Sequence, residues 1–352
     1  MSRDLGADLR PRNKGFTDKP RIPDTSTGLP KREAGGWTGP TYYDRPQLKS
    51  SPFNNWVVGG YVFLAGLSGG GAILAAASRA AGDSDLGGVA RRGRYLTLLA
   101  PTIGSALLVW DLHTPQRFYN MMRIAKRTSP MSIGTWLLLS FTAFSGGAAA
   151  AQLAADANVL PRRRGLFGRL ATAFTVPAAM FGLGISTYTP ALLAATSTPL
   201  WAASPRTLAA RFGSSALASA AAALSLTERR PRSRAALDRV AFLALGTELA
   251  AATLAHRHYE QRGVSKALDG GWGKLEHWGV NVIGTMTPLA LLAASAVLPP
   301  RASRLASRLA AALVVPASAL LRVSIMSAGD VSADDPSISF RFSQPENLPT
   351  NY

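Results

Sequence analysis

Residues 57–78 read VVGGYVFLAGLSGGGAILAAAS, twenty-two consecutive positions without a charged side chain. A helix of roughly 18 or more apolar residues is long enough to cross a hydrocarbon core about 30 Å thick. Residues 95–109 and 133–155 are equally free of charge. A soluble chain could hide such helices only in a core that contacts no polar face. Only 16% of the chain is charged and 47% is hydrophobic, whereas soluble domains carry about 25% charge. The sequence therefore reads as an integral membrane protein.

Working outward, eight apolar segments appear at about 55–78, 95–112, 132–155, 169–195, 207–227, 236–256, 277–298 and 306–327. The expected fold is an all-α integral membrane bundle of about eight transmembrane helices. Residues 1–54 are rich in proline, glycine and charge and show no apolar period, so they read as an extended polar arm. Residues 55–327 form the membrane domain and 328–352 a polar tail. The arm lacks an apolar leader stretch, so the first helix is expected to direct insertion. Prolines 101, 177, 190, 288 and 316 interrupt the segments, which membrane helices tolerate when neighbours satisfy the freed carbonyls. Gly66 and Gly70 in the first helix have the spacing of a close helix contact. Val176-Pro177-Ala178 recurs as Val315-Pro316-Ala317, four helices later, which would fit a parallel four-plus-four duplication.

The net charge of +18 resides largely in arginines between apolar segments, the pattern of topology signalling and anionic-lipid contact rather than nucleic-acid binding. With an even helix count both termini share a face. The opposite loops hold fifteen basic residues and the terminal-face loops, with Arg45 and Lys49, hold twelve. The bias favours termini outside the cytoplasm. No cysteine is present, so the chain offers no thiolate ligand for an iron–sulfur cluster. Its four histidines, His113, His256, His258 and His277, lie near one face, which does not suit bis-His haems at two depths.

The terminal-face loops carry the aromatic, acidic and histidine residues. Trp110-Asp111-Leu112-His113-Thr114-Pro115-Gln116-Arg117-Phe118 ends helix two, and Ser129-Pro130 precedes helix three as an N-cap followed by an N1 proline. A polar pocket at this mouth of the bundle is the natural inference. Glu248 sits near the centre of helix six, where a charge costs roughly 2–3 kcal/mol and must be neutral, paired or wetted. Arg322 could snorkel or partner Glu248.

WVVGGYVFLAGLSGG (56–70), DLHTPQRF (111–118), SPMSIGTW (129–136), YTPALL (188–193) with TPLW (198–201), and the end from Arg322 to Pro336 resemble the NrfD/PsrC family. These are membrane subunits of polysulfide reductase, nitrite reductase and formate dehydrogenase-like complexes. The arm around Tyr42-Tyr43 and Pro46 looks most like members that accompany molybdenum- or tungsten-pterin formate dehydrogenases. The resemblance covers about residues 40–340 and implies two four-helix bundles without haem. It also implies a pocket for a quinone, menaquinone or ubiquinone, beside the face where a ferredoxin-like iron–sulfur subunit docks. Asn55, Tyr61, Arg117, Ser129, Tyr188 and Arg322 are then candidates to hold the quinone. Glu248, Asp111 and His113 are candidates to move protons, although His113 stands where the family more usually has glycine. No metal site is expected. Each has a plainer alternative: capping for Asn55, packing for Tyr61 and Tyr188, a loop ion pair for Asp111 and Arg117. The expected location is a bacterial cytoplasmic membrane. A transporter or proton channel is the rival reading, and an inert anchor without quinone a third.

Overall fold

The computed structural model describes residues 48–51, 54–112 and 114–344. The polar arm up to residue 47, His113 and residues 345–352 lie outside the described residues. Among those described there is no strand, and eight long helical rods follow one another. They are α1 (Asn55–Ala80), α2 (Ser84–Trp110), α3 (Pro130–Asp156), α4 (Arg164–Ala194), α5 (Pro205–Thr227), α6 (Pro231–Gln261), α7 (Gly271–Ser295) and α8 (Pro300–Asp334). A short α9 (Pro336–Phe342) packs Ile338 and Phe342 back against the bundle. Each apolar segment read from the sequence falls on the corresponding rod.

Five rods are long and apolar enough to cross a membrane alone: α1, α3, α4, α7 and α8. A sixth is counted if α2 and the turn Pro115–Met122 form one broken span. α5 and α6 fall short because serines and Arg211 dilute the first and Glu248 and its charged ends dilute the second. The surface is inverted relative to a soluble protein. Met180, Leu183 and Leu243 are exposed while Arg211, Glu248 and Arg322 are buried, as expected where lipid is the solvent.

The rods form two groups of four with the same neighbour order: α1 packs on α2 and α4, α3 on α4, and likewise α5 on α6 and α8, α7 on α8. α1 joins the groups by also packing on α5 and α8. The recurring Pro177 and Pro316 fall inside the fourth helix of each group, followed by buried Ala178 and Ala317. Two other prolines sit at π-turns, Pro101 within Ala100–Gly104 and Pro288 just after Leu275–Met286. A proline lacks the amide that an α-turn needs, and a widened turn absorbs the mismatch. The hydroxyls of Thr285 and Thr287 take up the carbonyls of Val280 and Val282, each at 3.0 Å.

Candidate functional site

α1 positions everything else, and glycine is what lets it. Asn54 caps the helix by accepting from the amides of Trp56 and Val57 at 3.1 and 3.4 Å. A Cβ added at Gly66 would lie 3.2 Å from Arg322 Nη2 and 3.1 Å from the Ala216 side chain. One at Gly70 would meet the Ala216 carbonyl, and one at Gly69 the backbone of Gly182 in α4. The Gly66–Gly70 spacing is therefore a true close approach, of α1 to α5.

Behind this seam, the second group encloses four ionisable side chains. Arg211 of α5 is 2% exposed, ion-pairs with Glu276 of α7, and donates to Asn281 Oδ1 at 2.7 Å. Asn281 in turn donates to Glu276 Oε1 at 3.2 Å, closing a triangle. Arg322 of α8 donates to Ser215 Oγ at 2.8 Å, to the Ser318 carbonyl and hydroxyl at 2.6 Å each, and to the Phe212 carbonyl at 3.0 Å. Its guanidinium also lies 5.1 Å from the centre of the Phe212 ring. Glu248 of α6 lies within electrostatic reach of Arg211 and Arg322 and beside Ser215. Two buried cations thus face two buried carboxyls, which is how a low-dielectric interior tolerates charge.

A second polar cluster lies in the first group. Tyr61 of α1 is within electrostatic reach of both Asp111, which follows the end of α2, and Tyr188 of α4. Tyr188 donates its hydroxyl to the Pro130 carbonyl at 2.5 Å. Pro130 opens α3 behind Ser129, whose hydroxyl accepts from the Ser132 amide at 3.4 Å. Gly134 is required here, because a methyl at that position would overlap the Tyr188 ring. Tyr61 and Gly66, five residues apart, point about 140° apart around α1. The tyrosine cluster and the ion cluster therefore occupy different sides of one helix.

The expected site residues accordingly divide. Tyr61, Asp111 and Tyr188 come together, with Ser129 just behind. Glu248 and Arg322 come together in the other group. Asn55 is not the cap of α1: its Nδ2 donates to Asp330 Oδ2 at 2.8 Å, and its Oδ1 is buried without a partner among the described residues. Arg117 is exposed in the turn Pro115–Met122.

The sequence reading does not single out Glu276, Asn281, Ser215 or Arg211. Arg211 lies inside α5, with Ser215 one turn further on. The signal available was charge balance, since two arginines inside apolar helices call for two acids. The aromatic, acidic and histidine residues legible in the sequence lie in the terminal-face loops. The buried quartet instead runs inward from that face, with Glu248 thirteen residues, about 20 Å of helix, from the end of α6.

The arginines of the opposite face are also more than connectors. Arg94 is 5% exposed and donates to Thr175 Oγ1 and Thr172 Oγ1 at 2.9 and 3.1 Å, and to Gln152. Glu228 between α5 and α6 ion-pairs with Arg92 and accepts from the amides of Arg229 and Arg230 at 2.8 and 2.9 Å. Burial works to raise the Glu228 carboxyl, but the Arg230 amide and the Arg92 guanidinium outweigh it and hold it below the usual carboxylate range.

Among the described residues no cluster of three or more His, Asp or Glu side chains could hold a metal ion. A comparison with curated proteins finds no match. A comparison with protein families matches residues 47–333 to the family described as "Polysulphide reductase, NrfD". That span includes all eight rods and both polar clusters. The chain belongs to the NrfD family, membrane subunits of quinone-reactive oxidoreductase complexes.

Proposed function

We propose that this chain is the quinone-binding membrane anchor of a multi-subunit oxidoreductase, with its quinone site at the Tyr61–Asp111–Tyr188 cluster. That cluster is the observation that carries the reading. Tyr61, a phenol suited to a ring carbonyl, lies within reach of a second phenol, Tyr188, and of a carboxylate suited to a proton, Asp111. Exposed Trp56, Trp110 and Trp136 surround this end of the bundle, as at a membrane interface where a lipid-soluble ligand enters sideways. A bound quinone would supply the two-electron, two-proton couple. Tyr61 donates to a carbonyl, the Asp111 carboxylate holds the accompanying proton, and Tyr188, fixed by Pro130, walls the site. Electrons come from or go to a ferredoxin-like iron–sulfur subunit, itself served by a molybdenum- or tungsten-pterin subunit.

Binding of a quinone analogue to the purified complex tests this. Tyr61→Phe should weaken it by up to about tenfold, the worth of one hydrogen bond. Asp111→Asn should leave binding nearly intact and slow quinone turnover. Unchanged binding and turnover in both variants would remove the cluster from the site.

One observation favours a second reading. The buried Arg211–Glu276–Glu248–Arg322 quartet suits a path for protons through the second group, whether coupled to the quinone or as a channel in its own right. Proteoliposomes containing the chain alone, given a pH gradient, distinguish the two. Leakage abolished by Glu248→Gln supports the channel, whereas tight vesicles leave the quinone-linked reading. We place both termini outside the cytoplasm of a bacterial cell, on the arginine bias. A periplasm-active reporter should then work after Tyr352 and fail between Arg229 and Arg234.

A further inference from the structure

On the face opposite the tyrosine cluster, α1, α2, α3 and α4 leave a cleft of about 690 Å³ rimmed by Arg79, Arg91, Arg94 and Arg169. Its cations are poorly compensated. Arg91 has Asp156 at 2.7 Å, but Arg79 and Arg94 lie close enough to repel each other. Neither Arg79 nor Arg169 makes a side-chain hydrogen bond or ion pair among the described residues. Arg94 is held rigidly at the back of the cleft by Thr172, Thr175 and Gln152. The cleft is also floored by the start of α4, which has no side-chain cap, and nothing lies within 4 Å of where a Cβ would sit on Gly165 or Gly168. Converging guanidiniums select an anion with several oxygens.

A second feature says what carries the anion. Leu166, Leu170 and Phe174, one turn apart each, are exposed in a line along α4, each next in sequence to a cleft-lining residue, Gly165, Arg169 or Ala173. An apolar stripe leading away from an anion site fits acyl chains below a headgroup. We propose that this cleft is a specific site for an anionic phospholipid, its phosphodiester held by Arg79, Arg94 and Arg169 and its chains lying along α4.

The test uses the full chain, with any subunits that co-purify, in zwitterionic nanodiscs, and reads the melting temperature as short-chain phosphatidylglycerol is added. The double variant Arg79→Gln/Arg169→Gln removes two cations without breaking any internal bond of the described structure. The control Arg301→Gln/Arg308→Gln makes the same charge change on the same face, away from the cleft. Phosphatidylglycerol should raise the melting temperature of the wild type and the control alike. The cleft variant should need about thirtyfold more lipid, the effect of two basic residues at a membrane surface. Equal response in the cleft variant, or equal loss in the control, would overturn the site. A full shift produced by inorganic phosphate alone would also overturn the lipid assignment, because the stripe along α4 would then do nothing.

Discussion

Asn55, at the start of the first long helix, and Asp330, near the end of the last, share a hydrogen bond of 2.8 Å across 275 residues of sequence. Ser51 holds the other oxygen of Asp330 with its amide and hydroxyl, at 2.9 and 2.7 Å. The two ends of the helical domain are thus fastened to each other on one face, as an even number of rods requires.

This clasp should matter to stability. Asp330→Ala leaves the donors of Ser51 and Asn55 without their acceptor, and the melting curve of the purified protein should show a loss of about 1–3 kcal/mol. In a double-mutant cycle with Asn55→Ala the two losses should fall short of adding, by at least about 0.5 kcal/mol. Strict additivity would mean that the bond contributes nothing.

The Arg211–Glu276 pair gives a sharper contrast. Arg211→Met alone strands a buried carboxylate and should cost about 3–5 kcal/mol, seen as poor recovery of folded protein. Arg211→Met together with Glu276→Leu removes both charges and should recover most of that loss. A double variant as unstable as the single one would show that Asn281 and the packing, rather than charge pairing, hold α5 to α7.

Glu248→Gln and Tyr188→Phe separate chemistry from assembly. Glu248→Gln keeps shape and cannot carry a proton, so quinone turnover should slow while reduction of an artificial dye by the partner subunits stays normal. Tyr188→Phe loses the bond to Pro130 and should lower stability by about 0.5–1.5 kcal/mol. It should weaken quinone binding only in so far as the pocket wall moves. Normal quinone turnover in both would place proton transfer elsewhere.

Acid should loosen the arginine-rich face first. The folded Glu228 carboxyl is held below its usual range, so its stabilising effect is complete above the unfolded value of about 4.3 and is lost as pH falls through the folded value. The melting temperature should therefore drop more steeply below about pH 4 in the wild type than in Glu228→Gln. Parallel acid limbs would show that the Arg92 and Arg230 contacts carry no net effect.

The rods were legible because apolar length reports membrane crossing residue by residue, and the Ser129-Pro130 start of α3 because a cap is a local device. The glycine spacing at Gly66 and Gly70 likewise announced a close neighbour, although not which one. The Arg211–Glu276 pair was not legible. It joins residues 65 positions apart, and whether they meet depends on how each helix is rotated. The π-turns at Leu275–Met286 change that rotation, since each adds a residue to a turn and shifts everything beyond by about 100°. Phase errors of that size are invisible to a hydrophobic count. The site residues divided for the same reason: Tyr61 and Gly66 are close in sequence and face different halves of the molecule.

The glycine seam of α1 also sets an order of events in biosynthesis. α1 is made before the other seven rods, yet Gly59 is covered by Val323, among the last residues of the eighth. Between those moments the backbone at Gly59 faces lipid or an insertion chaperone, with no side chain to lock it in place. A chain ending at residue 299 should therefore insert but leave the α8-facing side of α1 open to crosslinking at Asn55→Cys, and the full chain should close it. The first of the eight rods is thus completed by the last, and the side of α1 that faces α8 is the part of the seam to be closed at the end.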